Sequence, residues 1–188
     1  PSGGLYVPAD FPQLDAESLL DGGYASAARA VMAPYLAHVS QAALMDMIAA
    51  AYHSFDDPAV TPVRALTQRQ SVLELWHGPT MAFKDVALQM LPHLMRSALD
   101  ATGERRQLYI LVATSGDTGK AALAGFCGVP GTRVLVFYPE GGVSRAQRLQ
   151  MVTQEGDNVD VCAVRGNFDD AQTAVKRIFA SPEARAQL

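Results

Sequence analysis

The chain has 188 residues, enough for one domain with a substantial core, and its 49% hydrophobic and 18% charged content fits a globular protein rather than a disordered or membrane-embedded one. A net charge of −4 with no basic block argues against a nucleic-acid partner. No apolar run approaches the length of a membrane-spanning helix, and Pro1-Ser2-Gly3-Gly4-Leu5 has neither a basic region nor a hydrophobic signal core, so neither a membrane nor secretion is expected.

In chain order, residues 1–14 read as an extended, proline-punctuated lead-in, with a short strand over Gly4-Leu5-Tyr6-Val7-Pro8. The alanine-rich residues 24–36 predict a helix. Ser40 is placed to cap another, whose stripe is Leu44, Met47, Ile48, Ala51, Tyr52 and Phe55. Val63–Leu66 and Val72–Leu75 flank a polar turn and predict a hairpin. The stripe Ala87, Met90, Leu91, Leu94, Met95, Ala98 predicts a helix broken or restarted near Leu91, because Pro92 cannot donate to the carbonyl of Leu88. From residue 107 the pattern is regular, with strands at Leu108–Ala113, Val134–Phe137 and Val159–Ala163 and helices from about Thr118, Ser144 and Asp169. This βαβαβα order predicts an α/β fold with a doubly wound parallel sheet, after N-terminal helices and short strands. A functional division into residues 1–100 and 101–188 is expected. Cys127 and Cys162 each fall inside an apolar element and read as buried small residues in a reducing cytoplasm. The four histidines lack ligand spacing, so no metal site is expected.

Chemistry concentrates in two stretches. The first is His77-Gly78-Pro79-Thr80-Met81-Ala82-Phe83-Lys84-Asp85, where a turn-rich loop enters a helix. Only three lysines occur, Lys84, Lys120 and Lys176. The stripe Ala171, Ala174, Val175, Ile178, Phe179 turns Lys176 toward water. Lys84 has apolar neighbours, and partial burial there would yield the neutral amine that Schiff-base chemistry needs. Taken by itself, the stretch is read first as an ordinary lysine whose stem packs on Phe83 and whose head reaches solvent.

The second stretch is Thr114-Ser115-Gly116-Asp117-Thr118-Gly119, at the carboxyl end of a strand where ligands of such sheets gather. Small residues feeding a helix start leave backbone N–H groups free at the positive end of the helix dipole, an anion site. The hydroxyls of Thr114, Ser115 and Thr118 could add donors, and Asp117 is expected to cap the helix. The ending Gly119-Lys120 imitates a P-loop, but Thr114 and Ala121 stand where that motif needs glycine and a hydroxyl. Lys120 reads either as a surface residue or as added positive charge beside an anion.

The first stretch closely resembles the pyridoxal-phosphate lysine motif of threonine synthases, and Ala113–Gly119 resembles that family's substrate loop. Gly4–Pro8, Ser144 with Gln147, Gln150 and Met151, and Gly166-Asn167-Phe168-Asp169-Asp170 resemble further family segments, so the likeness spans nearly the whole chain in order. It implies a fold type II enzyme of the tryptophan-synthase-beta-like group, active in the cytoplasm. Lys84 would be the Schiff-base lysine and proton carrier, and Phe83 would flank the cofactor, pyridoxal 5'-phosphate. The loop Thr114–Gly119 would receive the carboxylate of O-phospho-L-homoserine, which is converted with water to L-threonine and phosphate. Such enzymes are longer. Their second glycine-rich loop, which holds the cofactor phosphate, follows the point where this chain stops, so an incomplete N-terminal part is expected. The alternatives are a non-catalytic anion- or partner-binding relative and another lyase of the same fold; such lyases more often carry asparagine at the position of Asp117.

Overall fold

The computed structural model describes residues 6–15, 17, 19 and 22–187. The chain divides into two compact units, 1–53 and 54–188. Of the expected N-terminal strand, Gly4 and Leu5 lie outside the described residues, and Tyr6–Pro8 is not in a strand.

In the first unit, α1 (Gly23–Met32) runs on into a 3-10 turn at Ala33–Tyr35. α2 (Gln41–Tyr52) starts where the Ser40 side chain accepts from the Ala43 amide at 3.2 Å, as the capping signal predicts. Leu44, Ile48 and Ala51, one face of that helix, are buried. The Tyr24 and Tyr52 rings meet edge to face, 4.9 Å between centroids.

The second unit begins with the expected hairpin, β1 (Val63–Thr67) paired antiparallel with β2 (Gln70–Leu73). It leaves Val63, Leu66 and Leu73 exposed. After the lysine loop comes a single helical turn, α3 (Asp85–Leu88), and then α4 (Leu91–Thr102). The break falls at Gln89-Met90, and Pro92 sits buried in the first turn of α4, where no donor is required of it.

The sheet is β3 (Leu108–Ala113), β4 (Thr132–Pro139) and β5 (Val159–Val164), all parallel, in the order β3-β4-β5. α5 (Asp117–Phe126) and α6 (Arg145–Val152) link the strands. They seal one face around Leu123, Phe126, Val134, Val136, Tyr138 and Met151. α7 (Phe168–Ala180) packs on β3 and β4 from the other side, where Ile178 lies beside Tyr109, Leu111 and Leu135. A short α8 (Pro182–Gln187) follows. Helices on both faces of a parallel sheet make the predicted doubly wound arrangement.

Two capping boxes fix the later helices: Ser144 with Gln147 for α6, and Asn167 with Asp170 for α7. Lys176 is exposed, as its stripe predicts, and reaches Gln172 at 3.2 Å. The cysteines correct their expected burial. Cys162 is exposed, because it lies on the outer strand β5 and on the face opposite the buried row Val134–Val136. Cys127 is half-buried where α5 ends, its thiol donating to the Glu155 carbonyl at 3.1 Å. Among the described residues, no helix is long and apolar enough to cross a membrane.

Candidate functional site

The lysine loop folds around a buried carboxylate. Asp85 has no solvent exposure. One of its oxygens accepts from the Thr80 amide at 2.8 Å, and the other accepts from the Thr80 hydroxyl at 2.7 Å. Gly78 lies directly against it, so that a Cβ at Gly78 would collide with the Asp85 side chain. Between these anchors the chain makes a turn in which Met81 takes a left-handed conformation, φ 59°, uncommon for a residue with a side chain and costly by about 1–3 kcal/mol. Ala82 points into the interior, while Met81 and Phe83 remain exposed.

Lys84 is half-buried at the start of α3. Its Nζ lies 4.0 Å from the centroid of the Phe83 ring and has no hydrogen-bond or ion-pair partner among the described residues. The other two lysines differ, since Lys176 bonds Gln172 and Lys120 bonds Gln154 at 2.6 Å. Burial pushes the Lys120 amine below the ordinary lysine range, and the nearby Cys127 and Asp85 partly oppose that shift. Lys120 is half-buried rather than the surface residue of the first reading, and its bond to Gln154 ties α5 to the segment that follows α6.

The second loop folds around a hydroxyl. Thr114, almost wholly buried, turns its Oγ1 inward, where it accepts from the amides of Gly116 at 3.0 Å and Gly119 at 2.9 Å and donates to the Gly116 carbonyl at 3.1 Å. The amides of Ser115, Asp117 and Thr118 donate to nothing among the described residues, and they stand at the N-terminus of the ten-residue α5. Gly116, at φ 148°, is the cap residue, which corrects the expectation that Asp117 caps the helix. Asp117 is the first helical residue, and its carboxylate accepts from Gln147 Nε2 at 2.8 Å. Gln147 also closes its own capping box by accepting from the Ser144 amide at 3.0 Å. The S-x-x-Q spacing at 144–147 signals that box, but nothing in the sequence signals the bond to Asp117.

α3 and α5 pack on each other. Gly125 lets the Leu88 carbonyl approach, and Gln89 reaches the Ala121 carbonyl at 3.5 Å. This brings the loops to one open, mainly apolar cleft of about 560 Å³, lined by Leu75, Phe83, Lys84, Val86, Ala87, Leu88 and Thr118. Of the residues singled out by sequence, Phe83, Lys84 and Thr118 meet there. Ser115 and Asp117 lie on the exposed rim of the loop, and Thr114, Gly116 and Gly119 form its buried frame.

Sequence reading missed a charge network at the start of the lysine loop. His77 Nδ1 bonds Asp56 at 2.5 Å and Nε2 bonds Glu74 at 2.8 Å, while Arg64 bridges Asp57 at 2.9 Å and approaches Glu74 at 3.6 Å. The bond to Glu74, and then that to Asp56, hold the imidazole pKa above its ordinary value. His77 and Glu74 are three residues apart, but Asp56 and Asp57 come from a turn with no distinguishing local pattern.

With this geometry in hand, comparison with known proteins is specific. Residues 1–52 match the family described as threonine synthase N terminus. Over 182 residues the chain is 42% identical to threonine synthase of Pseudomonas aeruginosa, covering 95% of this chain and 38% of that protein. The chain matches the N-terminal part of the threonine synthases.

The solved structures agree. Threonine synthase of Brucella melitensis, described as bound to PLP, superposes with a TM-score of 0.87 at 39% identity, over 96% of this chain and 39% of that one. The yeast threonine synthase superposes equally well, with a TM-score of 0.87 at 38% identity, over 97% of this chain and 39% of that one. The chain thus spans about two fifths of the length of the threonine synthases it matches.

Proposed function

We propose that this chain forms the lysine-bearing part of a pyridoxal-phosphate-dependent threonine synthase, acting on O-phospho-L-homoserine and water to give L-threonine and phosphate. The observation that carries the reading is the single cleft in which Lys84 and Phe83 of one loop face Thr118 of the other, in a chain aligned with threonine synthases. The cleft suits the cofactor: it offers an aldehyde an amine with no hydrogen-bond or ion-pair partner among the described residues, and apolar walls at Leu75, Phe83, Val86 and Leu88 for an aromatic ring. Bound there, pyridoxal phosphate supplies the electron sink for proton loss and phosphate departure.

The chain's own residues do the rest. Lys84 holds the cofactor through Nζ and carries protons at that atom. Phe83 packs beside the ring. The amides of Ser115, Asp117 and Thr118 receive the substrate carboxylate at the positive end of α5, on the frame built by Thr114, Gly116 and Gly119. Gln147, by engaging the Asp117 carboxylate, holds that negative charge in a fixed position beside the anion site. In this reading residues 1–100 bring the lysine and residues 101–188 the substrate loop. A cytoplasmic setting belongs to the same proposal, supported by two free cysteines.

The test is to treat the protein with pyridoxal 5'-phosphate, reduce with borohydride and map the pyridoxyl group by mass spectrometry. The expected site is Lys84; preferential labelling of Lys120 or Lys176 contradicts the assignment.

A further inference from the structure

We propose that Asp85 is the positioning residue of the site: its buried carboxylate, clasped by Thr80 across the turn, sets where Lys84 projects. The inference rests on the reading of Lys84 given above.

Asp85 has no solvent exposure, so it cannot touch a substrate or cofactor in the cleft. Its two strong bonds both go to Thr80 and close a short ring of chain, Thr80 to Asp85, that contains Phe83 and Lys84. A carboxylate is far costlier to bury than an amide or hydroxyl, so a structural turn closed by Asp85 when a neutral side chain could close it needs a reason. The turn holds Met81 at φ 59°, and two bonds to a charged acceptor are strong enough to offset that strain. Gly78 is the matching half of the lock, because any side chain there would displace the Asp85 carboxylate. Lys84 precedes Asp85 directly, so fixing the Asp85 backbone and side chain fixes the Lys84 Cα to within one peptide unit. The remaining freedom of Lys84 is its side-chain torsions, limited on one side by the Phe83 ring at 4.0 Å.

Substituting Asp85 strips two buried donors of their acceptor and endangers folding, so the deciding pair is Thr80→Val and Thr80→Ser. Valine keeps the shape and the amide bond but lacks the hydroxyl; serine restores it. The readout is the ratio of pyridoxyl label on Lys84 to that on exposed Lys176, with Lys120 as an internal monitor of the sheet, since its amine is tied to Gln154. We expect the ratio to fall about tenfold in Thr80→Val, the factor for losing one hydrogen bond to a charged group. Lys120 should stay protected, and Thr80→Ser should return the ratio to the parent value. A parental ratio in Thr80→Val overturns the inference. So does a fall accompanied by labelling of Lys120, which would mean that the clasp supports the whole fold and not the lysine. Absence of any preference for Lys84 in the parent protein contradicts the proposed function itself, a result distinct from both.

Discussion

The lysine loop and the Thr114–Gly119 loop solve the same problem with opposite chemistry. Each is a tight turn entering a helix, and each closes around one buried polar side chain. In the first, that side chain is a carboxylate, Asp85, which accepts two short bonds from Thr80 and a longer one from Gln89 at 3.4 Å. In the second it is a neutral hydroxyl, Thr114, which takes the amides of Gly116 and Gly119. The charge of the clasp matches what each loop presents: an amine on Phe83-Lys84, and three free amides at Ser115, Asp117 and Thr118. A buried carboxylate beneath the second loop would repel the anion those amides suit, whereas a hydroxyl organises them without adding charge.

This contrast can be broken most forcefully by removing each clasp. Asp85→Ala leaves the Thr80 amide and hydroxyl without their acceptor and should cost about 3 kcal/mol of stability in denaturant unfolding. Thr114→Val leaves the Gly116 and Gly119 amides unpaired and should cost about 2–3 kcal/mol. The two should separate in function. Thr114→Val should abolish the response of the Ser115, Asp117 and Thr118 amides to inorganic phosphate while leaving Lys84 labelling intact, and Thr80→Val should do the reverse. If both variants lose both responses, the loops do not act independently.

A smaller effect tests how closely the second loop sits on the sheet. A Cβ at Gly119 would lie 2.6 Å from Thr114 Cγ2, 2.8 Å from Val136 Cγ1 and 2.9 Å from Met151 Sδ. Gly119→Ala should therefore destabilise by about 1–3 kcal/mol through overpacking, measured by thermal unfolding. Smaller again is the loss of an ordinary cap at a helix start with no site: Asn167→Ala, which removes the capping box of α7, should cost about 1 kcal/mol.

Most of the fold was legible in the sequence, the long-range bonds around the two loops were not, and the division has a physical cause. Local signals succeeded where the structure is local. Ser40 and Ser144 cap helices, Pro92 starts one, and the alternation of short apolar runs with helical stripes gives the three parallel strands and the helices between them. The signal failed where a bond joins residues far apart in the chain. Gln147 reaching Asp117, and Asp56 and Asp57 joining His77 and Arg64, depend on where the fold puts a turn, and the cap role passed from Asp117 to Gly116 because of one backbone dihedral. Cys162 misled for a related reason: its neighbours are apolar, but β5 is the outer strand and that face is uncovered.

The His77 network gives a prediction in pH. The folded-state pKa of His77 lies above its unfolded value near 6.5, so its contribution to stability is fully present below about pH 6.5 and is lost as pH rises through the folded value. Denaturant midpoints should therefore fall across that window in the parent protein, and His77→Gln should flatten the dependence. An equal slope in the variant would place the titrating group elsewhere.

The central claim is that two loops distant in sequence make one site. The most direct measurement is the amide NMR spectrum of the protein before and after reductive attachment of a pyridoxyl phosphate group to Lys84. A shared cleft predicts that the Ser115, Asp117 and Thr118 amides shift along with those around Phe83. Shifts confined to residues 77–90, with the second loop unmoved, would contradict it.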